Sequence, residues 1–93
     1  MKNYIYILTN KYNNVLYVGV TSNLQQRILQ HRNGVFGGFT SKYNVTKVVF
    51  IEEHSDIRNA IEREKQIKSW SRKKKDALIN EQNPEWIELM PIE

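Results

Sequence analysis

The chain has 93 residues, 40% of them hydrophobic and 26% charged, with a net charge of +4 and no cysteine. That length leaves room for a single domain, residues 1–93, around one modest core, and the absence of cysteine excludes both a disulfide framework and thiolate metal ligation. No apolar run approaches the ~20 residues that span a bilayer and the N-terminus lacks the apolar stretch of a secretory signal, so the expectation is a cytoplasmic protein with no membrane partner.

Alternating apolar and polar residues in Asn3 to Thr9 and in Val15 to Val20 predict two strands, and the polar stretch Asn10-Lys11-Tyr12-Asn13-Asn14 joins them as a hairpin. A first helix follows, capped by Ser22 or Asn23 with Gln25 or Gln26 as reciprocal partner, and ended by Gly34 and Gly37-Gly38. The stretch on to about Asn44 reads as loop. Val45 to Glu53, centred on Val48-Val49-Phe50-Ile51, reads as a third strand buried on both faces. Ser55 or Asp56 caps a second helix, Ser71 caps a third after Trp70, and Pro84 closes that one near Asn83. The tail, about 84–93, lays the apolar residues of Trp86-Ile87-Glu88-Leu89 back on the core. No internal repeat, linker or low-complexity segment is expected beyond the triplet Lys73-Lys74-Lys75.

The charge is unevenly placed. Residues 62 to 76 hold Arg63, Lys65, Lys68, Arg72, Lys73, Lys74 and Lys75 against Glu62, Glu64 and Asp76, whereas basic and acidic residues cancel over the rest of the chain. One helical stretch therefore carries all the net positive charge, which suits phosphate neutralisation and the steering of a polyanion. A merely solvated helix face is the plain alternative.

Two helices each place a polar group where the spacing calls for an apolar one. At 100° per residue Ile57, Ala60, Ile61 and Ile67 form an apolar stripe, and Glu64 falls in its middle. A carboxylate facing a core pairs, protonates or binds a cation, so Glu64 either salt-bridges Arg27 or a lysine at the core's edge, or ligates a metal ion. In the first helix Leu24 and Ile28 define the buried side, with Arg27 and His31 on or beside it and Leu29 facing away. A snorkelling arginine and a hydrogen-bonded core histidine would account for these two in purely structural terms. Strand tyrosines such as Tyr4, Tyr6 and Tyr17 are ordinary packing residues when taken singly. Gly19 inside a strand is more telling, because it marks either a bulge or a close approach of a ligand to the backbone.

Taken in order, Tyr4-Ile5-Tyr6, Tyr17-Val18-Gly19, the segment Thr21-Ser22-Asn23-Leu24 leading to Arg27 and His31, and Ala60 followed by Glu64, Ile67 and Lys68 resemble the GIY-YIG nuclease superfamily. More narrowly, the chain is similar to the small stand-alone bacterial members, from residue 3 to about residue 89. The resemblance implies an α/β (α+β) fold, a small three-stranded mainly antiparallel sheet flanked by about three helices. It also implies one divalent ion, Mg²⁺ or Mn²⁺, held by Glu64. Tyr17 would be the general base on the attacking water, Tyr6 would orient that network, Arg27 would clamp the scissile phosphate, and His31 would support the phosphate or the leaving group. Tyr4 and Asn83 would have supporting roles, although Asn80 competes with Asn83 for the family's late asparagine.

The chain departs from the family pattern in three places. Tyr4 stands at the first glycine of the first motif and Val18 at the middle of the second. Val20 stands where some members carry a lysine, so phosphate-neutralising charge would come from Arg27, Lys42 or the basic helix. The expected nucleic-acid-binding set is Gly19, Arg27, Lys42, Lys68, Arg72, Lys73, Lys74 and Lys75. The implied function is a metal-dependent endonuclease that hydrolyses DNA phosphodiester bonds in repair or processing, with RNA as another substrate and a further protein as a means of delivering it. A non-catalytic nucleic-acid-binding or scaffold module that keeps the fold is the alternative.

Overall fold

The computed structural model describes residues 1–35 and 38–91. Three strands, β1 (Asn3–Thr9), β2 (Leu16–Thr21) and β3 (Lys47–His54), form one antiparallel sheet in the order β2-β1-β3. The described residues also form four helices: α1 (Leu24–Arg32), α2 (Gly38–Lys42), α3 (Ile57–Lys68) and α4 (Arg72–Gln82). The fold is α+β, as the resemblance implies, with the single-turn α2 lying inside the stretch that reads as loop in the sequence. Among the described residues no helix is long and apolar enough to cross a membrane.

Because β1 is the central strand, its two faces feed two separate clusters. Ile5 and Ile7 pack with Val18, Val49, Phe50, Ala60, Ile67 and Ile79, the layer of α3 and α4. Tyr6 and Leu8 point the other way and pack with Ile28, Val45 and Val48, the layer of α1. The register of β1 against β3 shifts between Ile7, opposite Phe50, and Leu8, opposite Val48. This bulge inserts Val49 and breaks the two-residue alternation, so Val49 and Phe50 enter the same cluster.

Local capping chemistry sets the helix boundaries. Asn23 caps α1 by accepting from the Gln26 amide, while its side-chain amide donates to Gln26 Oε1. Asp56 accepts from the Arg58 amide at 2.8 Å to start α3, and Ser71 accepts from the Lys74 amide to start α4. The apolar stripe expected on α3 is narrower than its sequence spacing suggests. Ala60 and Ile67 are buried, but Ile57 and Ile61 are 46% and 38% exposed. The sheet-facing side centres on Ala60 and Ile67, and Arg63 and Glu64 lie on opposite flanks of it.

The tail is held by polar clasps as well as by apolar contact. Asn83 is buried, donates to the carbonyls of Val49 and Ile87, and accepts from the Ile87 amide. Trp86, Leu89 and Met90 pack on the core, whereas Ile87 faces solvent, contrary to the sequence expectation. Glu88 reaches Arg32 at 2.7 Å and also accepts from the amides of Val48 and Met90 at 3.0 Å, tying α1, β3 and the tail together. Removing this carboxylate strands the Val48 amide at the mouth of the strand. Glu88→Ala is expected to lower stability by about 2 kcal/mol, the scale of hydrogen bonds to a charged group, and Glu88→Gln by less. An unchanged urea midpoint for Glu88→Ala would contradict this anchoring role.

Candidate active site

Register brings the first two functional positions together. Tyr6 on β1 lies directly opposite Gly19 on β2, and β2 is an edge strand. A methyl group at position 19 would overlap the Cζ and hydroxyl oxygen of Tyr6. Gly19 therefore marks neither a bulge nor an open groove: the β1–β2 pairing is continuous through it, and the missing side chain is the seat of the Tyr6 phenol.

From that seat the Tyr6 hydroxyl reaches His31 Nε2 at 3.0 Å. The ring of Tyr17 lies 6.3 Å from that of Tyr6 and 5.1 Å, edge-on, from that of His31. Two phenols from adjacent strands and an imidazole from α1 thus form one aromatic cluster. Tyr6 and His31 are buried within it, whereas Tyr17 is only half-buried.

Electrostatics extend the cluster to Arg27 and Glu64. Burial pushes the Tyr6 hydroxyl up to about 12, the neighbouring Tyr17 adds to the rise, the Arg27 hydrogen bond and charge offset part of it, and the Glu64 carboxylate raises it again. His31 is held below its usual 6.5, first by burial and then by the Arg27 charge. Both shifts favour the neutral forms, a protonated phenol and an uncharged imidazole, and Arg27 can only donate to the Tyr6 oxygen.

Glu64 comes from α3, in the layer opposite α1. Side chains from two layers can meet only past an open edge of the sheet, and α3 lies mainly against β2 and β1. The Glu64 side chain is 15% exposed and pairs with Lys68 at 3.3 Å, one of the alternatives its position in the stripe left open. Among the described residues no group of three or more His, Cys, Asp or Glu converges as a protein-built cage. A single, largely enclosed carboxylate does fit Mg²⁺ or Mn²⁺, hard ions that take one or two carboxylates and fill their remaining positions with water and phosphate oxygens.

The remaining expected residues divide by what they touch. Arg72 pairs with Asp76 at 2.7 Å, donates to the carbonyls of Asn13 and Asn14, and lies over the Trp86 ring, so it staples α4 to the hairpin turn. The Lys74 ammonium lies 4.4 Å from the Trp70 ring centre, beside Arg63 at 5.2 Å. Lys73 is exposed and Lys75 half-buried. Lys42 ends α2 with its ammonium 5.4 Å from the Tyr43 ring centre. Tyr4, half-buried, lies between Thr21 and Glu53. Asn83 serves the tail clasp, and Asn80 accepts from the Trp86 indole.

Comparison with known proteins identifies the family. Residues 2–77 match the GIY-YIG catalytic domain. The chain belongs to the GIY-YIG family. It is 39% identical over 85 residues to the UPF0213 protein of Syntrophus aciditrophicus, covering 90% of this chain and 95% of that one. It is 40% identical over 78 residues to UPF0213 protein CPE1444 of Clostridium perfringens, covering 84% and 83%. The solution NMR structure of UPF0213 protein BH0048 from Bacillus halodurans superposes with a TM-score of 0.61 at 27% identity, covering 92% of this chain and 90% of that one. These are small stand-alone GIY-YIG proteins, and the family's catalytic domain implies nuclease-type chemistry.

The Gly19 seat makes a direct prediction. Gly19→Ala should cost about 1–3 kcal/mol, the usual range for overpacking, and Tyr6→Ala should remove most of that penalty because the ring is gone. A double-mutant cycle by urea denaturation checks it. If Gly19→Ala costs the same with and without the Tyr6 ring, the seat is not what requires glycine.

Proposed function

We propose that this GIY-YIG protein is a metal-dependent endonuclease that hydrolyses phosphodiester bonds of DNA, acting in DNA repair or processing. The observation that carries this reading is the convergence of Tyr6, Tyr17, Arg27 and His31 beside one largely enclosed carboxylate, Glu64. A divalent ion bound through Glu64 would polarise the phosphoryl and leaving oxygens. The protein's own residues supply the rest.

Exposure separates the two tyrosines. Tyr17, the half-buried one, can meet solvent and a bound phosphate and so suits the general base. Tyr6, buried and with its hydroxyl raised to about 12, keeps its proton and positions its neighbours. His31 is buried too, so it supports the reacting phosphate through the phenols rather than by touching it. The hydrogen bond between the Tyr6 hydroxyl and the neutral His31 imidazole holds the phenol pair in place.

Arg27 donates to Tyr6, and its planar guanidinium suits a phosphate because it can bind two oxygens at once. Lys68, which pairs with Glu64, would face the substrate backbone if Glu64 held the ion. Lys73, Lys74 and Lys75 extend positive charge along α4 for sequence-independent phosphate contact.

The test is cleavage of an end-labelled panel of single-stranded, duplex, nicked and branched DNA, together with single-stranded RNA, in Mg²⁺, Mn²⁺ or EDTA. Glu64→Gln should lower the rate by about 100-fold or more, the scale of losing a transition-state electrostatic group, with binding nearly unchanged. Tight binding without cleavage of any substrate in either metal would favour a non-catalytic module.

A further inference from the structure

The tripeptide Lys-Tyr-Asn occurs twice, as Lys11-Tyr12-Asn13 in the hairpin turn and as Lys42-Tyr43-Asn44 after α2. The two copies take the same local form. Each asparagine is left-handed, with φ of 58° at Asn13 and 53° at Asn44, a conformation asparagine tolerates better than most residues. Each lysine lies over its own tyrosine ring, 5.0 Å from the centre in the first copy and 5.4 Å in the second. Tyr12 is 70% exposed and Tyr43 41%.

Both tyrosines line one hollow of about 280 Å³, completed by Asn10, Lys11, Asn44 and Thr46. Among the described residues no acidic side chain lines it. Three other surface hollows each contain a carboxylate, Glu88, Glu62 or Glu81. Two aromatic faces with ammonium groups at hand and no negative charge are the combination that binds unpaired nucleotides: bases stack on rings and lysines meet phosphates. The small volume suits a flat ring better than a folded partner. The same hairpin carries Tyr6, Tyr17 and Gly19, and the strand from Tyr6 to Asn10 spans roughly 13 Å, so one substrate strand can occupy both places.

We propose that the paired Lys-Tyr-Asn units form a clamp for an unpaired base of the substrate strand, next to the cleavage site. This rests on the nuclease reading and sharpens it: the preferred substrate carries single-stranded or frayed nucleotides beside the scissile phosphate. The lysine over each ring moves to a phosphate when a base takes its place.

The test measures binding in EDTA, so that it stands apart from cleavage, using a fluorescent single-stranded 12-mer, an abasic strand of equal length and a blunt duplex. Tyr12→Ala combined with Tyr43→Ala should weaken binding to the base-bearing strand about tenfold or more. Binding to the abasic strand and to the duplex should hold. The double Phe variant should bind as the wild type does, since stacking does not use the hydroxyl. Equal loss on all three ligands, no loss on any, or no single-strand binding by the wild type would overturn the clamp. Cleavage by a protein whose binding is indifferent to these rings would overturn the clamp and leave the nuclease standing; ring-dependent binding without cleavage would do the reverse.

Discussion

The Tyr6 phenol occupies space that any side chain at position 19 would need, and from there its hydroxyl meets His31 Nε2 at 3.0 Å. The site depends on that close approach. It can form only if β1 and β2 pair in a register that puts residue 6 opposite residue 19. In turn that register requires Ile5, Ile7 and Val18 to face α3 and α4 while Tyr6 and Leu8 face α1. Slipping the pairing by one residue would reverse every side chain of the strand and scatter the aromatic cluster. Core packing and site assembly are therefore set by the same strand pairing.

Burial gives the cluster its chemical character. A phenol raised to about 12 keeps its proton at neutral pH, and an imidazole held below 6.5 is uncharged there, so the Tyr6–His31 hydrogen bond joins two neutral groups. The same shift has a stability consequence. As pH falls through 6.5 the unfolded chain binds the histidine proton before the folded chain does, so the fold loses stability until the lowered folded value is passed, after which the loss stops growing. Glu52 acts in another range. Burial opposes its ionised form, but the hydrogen bonds from Arg63 and His54 outweigh that and hold it below 4.5, so its contribution is present above 4.5 and fades as pH falls through the lowered value.

What was legible in the chain was local. The caps at Asn23, Asp56 and Ser71, the end of α1 near Gly34 and the three strands follow from short-range chemistry that a few neighbouring residues determine. The candidate site residues were legible too, through the spacing of the tyrosine motifs, Arg27, His31 and Glu64. Features set by distant partners were not. The bulge at Val49 depends on how β3 meets β1. The rotation of α3 that leaves Ile57 and Ile61 exposed depends on where the sheet lies beneath it. The purpose of Gly19 needed the register, α2 is too short to show a period, and the two Lys-Tyr-Asn units lie about thirty residues apart until the fold sets them around one hollow.

The measurement that bears most directly on this account is a ¹⁵N NMR titration of the His31 ring. A neutral imidazole at neutral pH, with a midpoint below 6.5, is the predicted result. A midpoint at or above 6.5 would contradict it, because a charged His31 would then face the Arg27 guanidinium and the hydrogen bond at the centre of the site would no longer join two neutral groups.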